Sequence, residues 1–266
     1  MFAAVLGGLV LSGCAGDSNW AQLENSPQPA ASSDAPGLPR QRGESPDSGD
    51  SQDNTTKDVR TLLAEASAAR ADVPAFRFTG AGVDEDGKNI RSEGCFRMSD
   101  DATRVSGRLG GHTTDVVSID GFEYLRAGVQ AWLEATGRDS ADAAAVFQRM
   151  LAGGKWVKGK FADDDNTFSS LVDSAPGAVT KGAPTTFKGS QTVPLVKTNA
   201  EGVEQTYYVL AQGVPLVVGR STSKPGTALR TETVYEKAGA CAVSAPPPDM
   251  VVDAEEVDRQ LETVAG

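Results

Sequence analysis

Reactive side chains are scarce in this chain. Among 266 residues there is one histidine, His112, and there are three cysteines, Cys14, Cys95 and Cys241. A Ser-His-Asp arrangement would have to use His112, which stands in the turn-like run Gly110-Gly111-His112-Thr113. No Gly-x-Ser-x-Gly elbow precedes a helix. Two cysteines and one histidine in the body of the chain show no zinc-ligand spacing. The acidic run Asp163-Asp164-Asp165-Asn166 lacks the spaced ligands and closing glutamate of an EF-hand loop. Gly80-Ala81-Gly82 has no Gly-Lys-Ser/Thr after it and is no phosphate loop. No catalytic residue, metal site or cofactor is therefore assigned, and the chain does not read as an enzyme. Positive charge is also short: 25 Lys and Arg stand against 36 Asp and Glu, a formal net charge of −11. That balance disfavours nucleic acid as a partner and a polybasic contact with anionic lipid. Aromatics make up only 6%, whereas Gly, Thr, Val and Ser are plentiful, which suits a β-rich domain with many turns. No apolar run after the first reaches the eighteen residues of a membrane-spanning helix.

What is present begins with the apolar run Phe2 to Leu11, followed by Ser12-Gly13-Cys14. About ten apolar residues are too few to span a bilayer but match the h-region of a signal peptide. Small residues directly before a cysteine resemble a bacterial lipobox, in which the cysteine is diacylated and becomes the first residue after cleavage. This predicts a signal over residues 1–13, a lipid anchor on Cys14 and a position on the outer face of the cell membrane. The alternative is an ordinary secretory signal with a chance cysteine. Met1-Phe2-Ala3 carries no Lys or Arg, so the start of translation is expected further upstream.

Outside the cytoplasm disulfides persist. Cys95 and Cys241 are then expected to pair, and closing so long a loop contributes roughly 4–5 kcal/mol in the chain-entropy model. Two separate buried thiols are the alternative.

From residue 14 to 56 the chain is rich in Ser, Pro and Asp, as in Asn25-Ser26-Pro27-Gln28-Pro29. Such a segment buries too little to offset its ordering entropy and reads as a disordered tether reaching about 35 Å. Residues 57–266 remain, roughly 200 positions, enough for one domain with its own core. Val59, Leu62, Leu63, Ala66 and Ala69 recur at helical spacing, with Pro74 as the stop. Phe76 and Phe78 alternate with polar neighbours and start a strand. Four more strands are expected, over 89–98, 102–109, 113–119 and 122 to about 132. The turns Gly110-Gly111 and Asp120-Gly121 and the short linkers make this an antiparallel meander. A helix over 141–151 follows, capped by Ser140, then a short strand at Trp156-Val157 and a second helix over 168–173. Five strands come next, over 185–189, 192–198, 204–212, 216–223 and 228–236. After Pro246-Pro247-Pro248, Asp253 and Glu256 form a capping-box-like start to a last helix that buries Val257, Leu261 and Val264.

This layout resembles the actinobacterial lipoproteins of the LppX/LprG type, which share the LolA-like fold. The matching segments are Phe76-Arg77-Phe78-Thr79-Gly80, Ile119-Asp120-Gly121-Phe122-Glu123-Tyr124-Leu125, Gly154-Lys155-Trp156-Val157, and Tyr207-Tyr208-Val209 with Gly213-Val214-Pro215-Leu216. The resemblance covers about residues 65–240 and rests on the order of these segments. It implies an α+β fold: a curved antiparallel sheet of about ten or eleven strands, an incomplete barrel with helices over its concave face. It also implies an apolar cavity between sheet and helices that takes the acyl chains of a lipid or lipoprotein, with carriage through the envelope as the wider role; the chain is expected to be a monomer. Apolar pockets with few polar groups suit acyl chains. The expected cavity residues are Phe76, Phe78, Val117, Ile119, Phe122, Leu125, Val146, Phe147, Met150, Leu151, Trp156, Leu171, Leu195, Leu210 and Val217. For each, plain core packing is the rival reading. The Cys95–Cys241 pair is not part of the general family pattern. The alternative function is a non-catalytic protein-binding or regulatory lipoprotein with a filled core, acting on a membrane sensor or transporter. An envelope hydrolase is a third class and would need a polar cleft with convergent titratable groups.

Overall fold

The computed structural model describes residues 52–109, 111–160 and 178–265. The signal, Cys14, most of the tether, the acidic run at 163–166, and the expected helix over 168–173 with Leu171 lie outside them.

Helix α1 spans Val59–Ala71; the Asp58 carboxylate caps it by accepting the Thr61 N–H. Strands β1 (Ala75–Val83), β2 (Asn89–Arg97), β3 (Ala102–Leu109), β4 (His112–Ile119) and β5 (Phe122–Ala127) follow. At the β4–β5 hairpin Asp120 and Gly121 both have positive φ, 55° and 73°, as a primed turn requires. β5 stops well short of the expected boundary near Trp132. Gly128 starts helix α2 (Val129–Thr136), closed by Gly137 in the left-handed region at φ 62°. Helix α3 (Ala141–Met150) is capped by Ser140, whose hydroxyl accepts the Ala143 N–H. β6 (Trp156–Gly159), β7 (Val179–Lys181), β8 (Thr185–Phe187), β9 (Ser190–Thr198), β10 (Glu204–Leu210), β11 (Val217–Ser223) and β12 (Arg230–Ala238) complete the main series. A 3₁₀ turn at Pro248–Met250, strand β13 (Val251–Asp253) and helix α4 (Ala254–Ala265) end the chain.

All thirteen strands belong to one curved, open sheet in the order β13-β6-β5-β4-β3-β2-β1-β12-β11-β10-β9-β7, with β8 also on β9. Two meanders meet where β1 pairs antiparallel with β12. One pairing departs from the expected antiparallel pattern: β13 runs parallel to β6. The chain reaches it only after crossing the sheet, and parallel pairing needs such a crossover.

Strand register divides the side chains between two faces. One row across the sheet reads Phe78, Gly94, Val105, Val116, Leu125, Val157, Val252. The row one residue out of phase reads Arg77, Cys95, Arg104, Val117, Tyr124, Lys158, Asp253. The first is apolar and carries the helices. On it α2, α3 and α4 pack Trp132, Val146, Phe147, Leu151, Val257 and Leu261 over β3–β6. The same face of β9–β11 receives Leu62, Leu63 and Ala66 of α1 against Leu195, Tyr207 and Val209.

The opposite face is crossed by a strap, residues 239–250. Its Cys241 is bonded to Cys95, with Cα atoms 5.8 Å apart. Cys241 and Val243 pack with Val117 and Trp156, and the Arg97 guanidinium donates to the carbonyls of Cys241 and Val243, both at 3.4 Å. Beyond the strap the chain turns round the β6 edge, so that α4 returns on the helix-bearing face. Val264 in its final turn is 39% exposed, not buried as expected, whereas Val257 and Leu261 are fully covered. Ordered structure also begins before Lys57. Asn54 is fully buried; its amide nitrogen donates to the carbonyls of Leu210 at 2.8 Å and Gly213 at 2.9 Å.

Candidate ligand site on the helix-covered face

The two helix groups sit over different ends of one sheet face, and strands β1, β2 and β12 lie between them. Alternation on β1 brings Phe76 and Phe78 to this face, and the β2 register brings Phe96 opposite Phe76. The Phe76 and Phe96 rings stack at 5.2 Å, Phe78 lies 6.3 Å from Phe96, and Tyr235 of β12 meets Phe96 edge-on at 6.2 Å. Phe76 belongs to the cluster below the end of α1, with Ala69, Val73 and Leu216. Phe78 belongs to the cluster below α2–α4. Phe96 therefore joins the two. Phe78, Phe96 and Tyr235 are only half-buried.

Glycine shapes the floor. A Cβ at Gly94 would lie 2.7 Å from Cζ of Phe78, and one at Gly82 would lie 2.1 Å from the Arg230 carbonyl oxygen. The ring of Phe78 can lie flat on the sheet because β2 offers no side chain there.

Polar groups enter from one side. The Arg70 guanidinium sits 5.0 Å from the Phe96 ring centre, a cation–π contact, and its pKa is lowered by burial. Arg220 is 8% exposed, and Tyr207 is 1% exposed and donates to Gln205. Burial pushes the Tyr207 hydroxyl up. Aromatic and aliphatic side chains thus share this face with a few buried polar groups at one end.

The residues expected to line a cavity separate into several groups. Phe78, Leu125, Val146, Phe147, Met150 and Leu151 come together under α2–α4. Phe76 and Leu210 sit near the end of α1, and Leu195 and Val217 beneath it. Val117, Ile119 and Trp156 lie on the opposite face in the cluster under the strap. Phe122, register partner of Ile119, shares that face, with the Lys158 ammonium 4.0 Å from its ring centre. Phe96, Tyr235 and Trp132 are not among the expected residues. Phe96 alternates with Cys95 and Arg97, a strand signal of the same kind that marks Phe76 and Phe78.

His112 opens β4, its Nε2 lying 3.2 Å from a carboxylate oxygen of Glu134 on α2. The Glu134 pKa is lowered, first by the Gln130 amide and then by His112. Among the described residues no group of three His, Cys, Asp or Glu side chains is arranged to hold a metal ion, and no helix is long and apolar enough to cross a membrane.

No protein family matches the sequence, and no curated protein matches it. Solved structures do. An uncharacterized conserved protein from Thermus thermophilus is 11% identical, with 74% of this chain aligned to 99% of that one at a TM-score of 0.47. LprF from Mycobacterium bovis is 12% identical over 71% of this chain and 96% of that one, TM-score 0.40. The Mycobacterium tuberculosis lipoprotein LppX is 11% identical over 70% of this chain and all of its own, TM-score 0.40.

Proposed function

We propose that this protein binds a hydrophobic ligand with acyl chains on the helix-covered face, between α1 and the α2–α4 group. Residues outside the described part hold it to the outer face of a membrane through lipid on Cys14. The observation that supports this most is the half-buried aromatic group Phe78, Phe96 and Tyr235 between two helix-covered clusters. Phe side chains in a filled core are usually fully covered, and Phe78 and Phe96 are not. Carriage through the envelope is the wider role that fits such a site.

Native mass spectrometry of the chain from residue 15 onward, purified without detergent, tests the reading. A discrete added mass, removed by organic extraction and weakened by Phe96→Ala, is the expected result. A bare mass with no uptake of offered phospholipid would overturn it. The same sheet would then be read as a protein-binding module.

A further inference from the structure

The two halves of the Cys95–Cys241 disulfide sit in different surroundings. Cys241 is 5% exposed, packed from the strap onto the sheet. Cys95 is half-buried and lines an open groove of about 450 Å³ on the face away from the helices. Register sets an arginine beside Cys95 on both neighbouring strands, Arg77 on β1 and Arg104 on β3. Residues directly opposed in this way hold their Cβ atoms about 5 Å apart. Both arginines line the groove and are exposed. Two carboxylates share it one position further out: Glu93, two residues before Cys95, and Glu236, beyond Arg77 on β12. Arg97, two residues after Cys95, is paired with Asp100 at 2.7 Å.

We propose that this disulfide is a thiol-exchange clasp, opened from the groove by a small anionic thiol that attacks Sγ of Cys95. The thiolate is the nucleophile in such exchange, and the rate depends on which sulfur is accessible. Access favours Cys95, and the flanking guanidiniums draw an anion towards it. The incoming sulfur bonds to Cys95 Sγ, the bond to Cys241 breaks, and its electron pair leaves on Cys241 Sγ, which takes a proton from water. A second thiolate attacks the outer sulfur of the mixed disulfide. It forms the oxidised thiol dimer and leaves Cys95 as a thiolate between Arg77 and Arg104. Two thiols are oxidised and one disulfide is reduced. Opening the clasp removes the covalent tie at the start of the strap. That leaves Arg97, Val243 and the β13–β6 pairing to hold the segment leading to α4.

The test treats the folded full chain with reduced glutathione, with 2-mercaptoethanol and with 2-aminoethanethiol, and maps adducts by peptide mass. We expect the first adduct on Cys95. After correction for intrinsic thiol reactivity, glutathione should react fastest and 2-aminoethanethiol slowest. Arg77→Gln or Arg104→Gln should cut the glutathione rate at low salt, by about fivefold for a charge that comes within about 4 Å of the anion in water. Glu93→Gln should raise it, and 1 M salt should erase the differences. Reduced protein should be cut by protease within 239–250 faster than oxidised protein. An adduct on Cys241, a wild-type rate indifferent to thiol charge and salt, or reduction no faster than global unfolding would overturn the proposal. The wild-type comparisons hold even if an arginine variant fails to fold.

Discussion

The ring of Phe78 lies on the bare α-carbon of Gly94, its direct partner across β1 and β2. A methyl group there would come within 2.7 Å of the ring and 2.3 Å of the Arg104 carbonyl oxygen. The second clash is with main chain and cannot be relieved by a rotamer change. Gly94→Ala should therefore lower stability by about 1–3 kcal/mol, read as a lower urea midpoint. Phe78→Ala in that background should recover little, because the main-chain clash remains.

Leu261 and Val264 lie on the same helix three residues apart, one fully buried and the other 39% exposed. Leu261→Ala should cost about 2–5 kcal/mol, through lost burial and the cavity left among α2, α3 and β6. Val264→Ala should change stability by less than about 0.5 kcal/mol. Urea unfolding of both variants checks the contrast; equal effects would mean that α4 is seated differently.

Asp58 accepts hydrogen bonds from the Thr61 N–H and hydroxyl, and these, the side-chain bond first, lower its pKa. A carboxylate with a lowered folded pKa contributes stability above its unfolded value, about 3.9. That contribution is lost as the pH falls through the lowered folded value. Asp58→Asn keeps a capping side chain but carries no titrating group. Wild type should exceed this variant in stability above about pH 4, and the gap should close in more acidic solution. A gap independent of pH would show that charge at the cap is immaterial.

Cys14→Ala should release the protein from the membrane fraction into the medium, because a single apolar segment of this length does not anchor by spanning. Fractionation with an antibody to the folded part checks it. Continued sedimentation with membranes would refute the lipid anchor.

Much of the sheet was legible because its signals are local. Phe76 and Phe78 alternate with Arg77 and Thr79, and Asp120-Gly121 has the chemistry of its turn. The helix at Val129–Thr136 reads as strand in the sequence. It follows a strand with only Gly128 between, and its Val129, Trp132 and Leu133 are as acceptable in β structure as in a helix. β13 is three residues long and gains its place from β6, far away in sequence. Asn54 gives no apolar signal at all; its bonds to the carbonyls of Leu210, Ala211 and Gly213 explain its burial. At the candidate site, Phe96 carries the right alternation. Which face of β2 turns inward, however, depends on the pairing with β1. The outward placing of Val117, Ile119, Phe122 and Trp156 has the same cause. A strap covering the far side makes both faces of β4–β6 partly apolar, so hydrophobicity alone cannot tell them apart.

The middle of the sheet is where its first and its last long strand meet. β1 runs from Ala75 and its neighbour β12 ends at Ala238. During synthesis β1 to β6 can pair as they emerge, yet one long edge of β1 stays open until nearly the whole chain has been made. Its partner is then the last long strand to appear. Such late, distant pairing slows folding, and an uncovered edge is a template for the wrong neighbour. The half-made sheet is thus the most vulnerable form of this protein, and a chaperone holding the Phe76–Val83 edge would act at the step where it matters most.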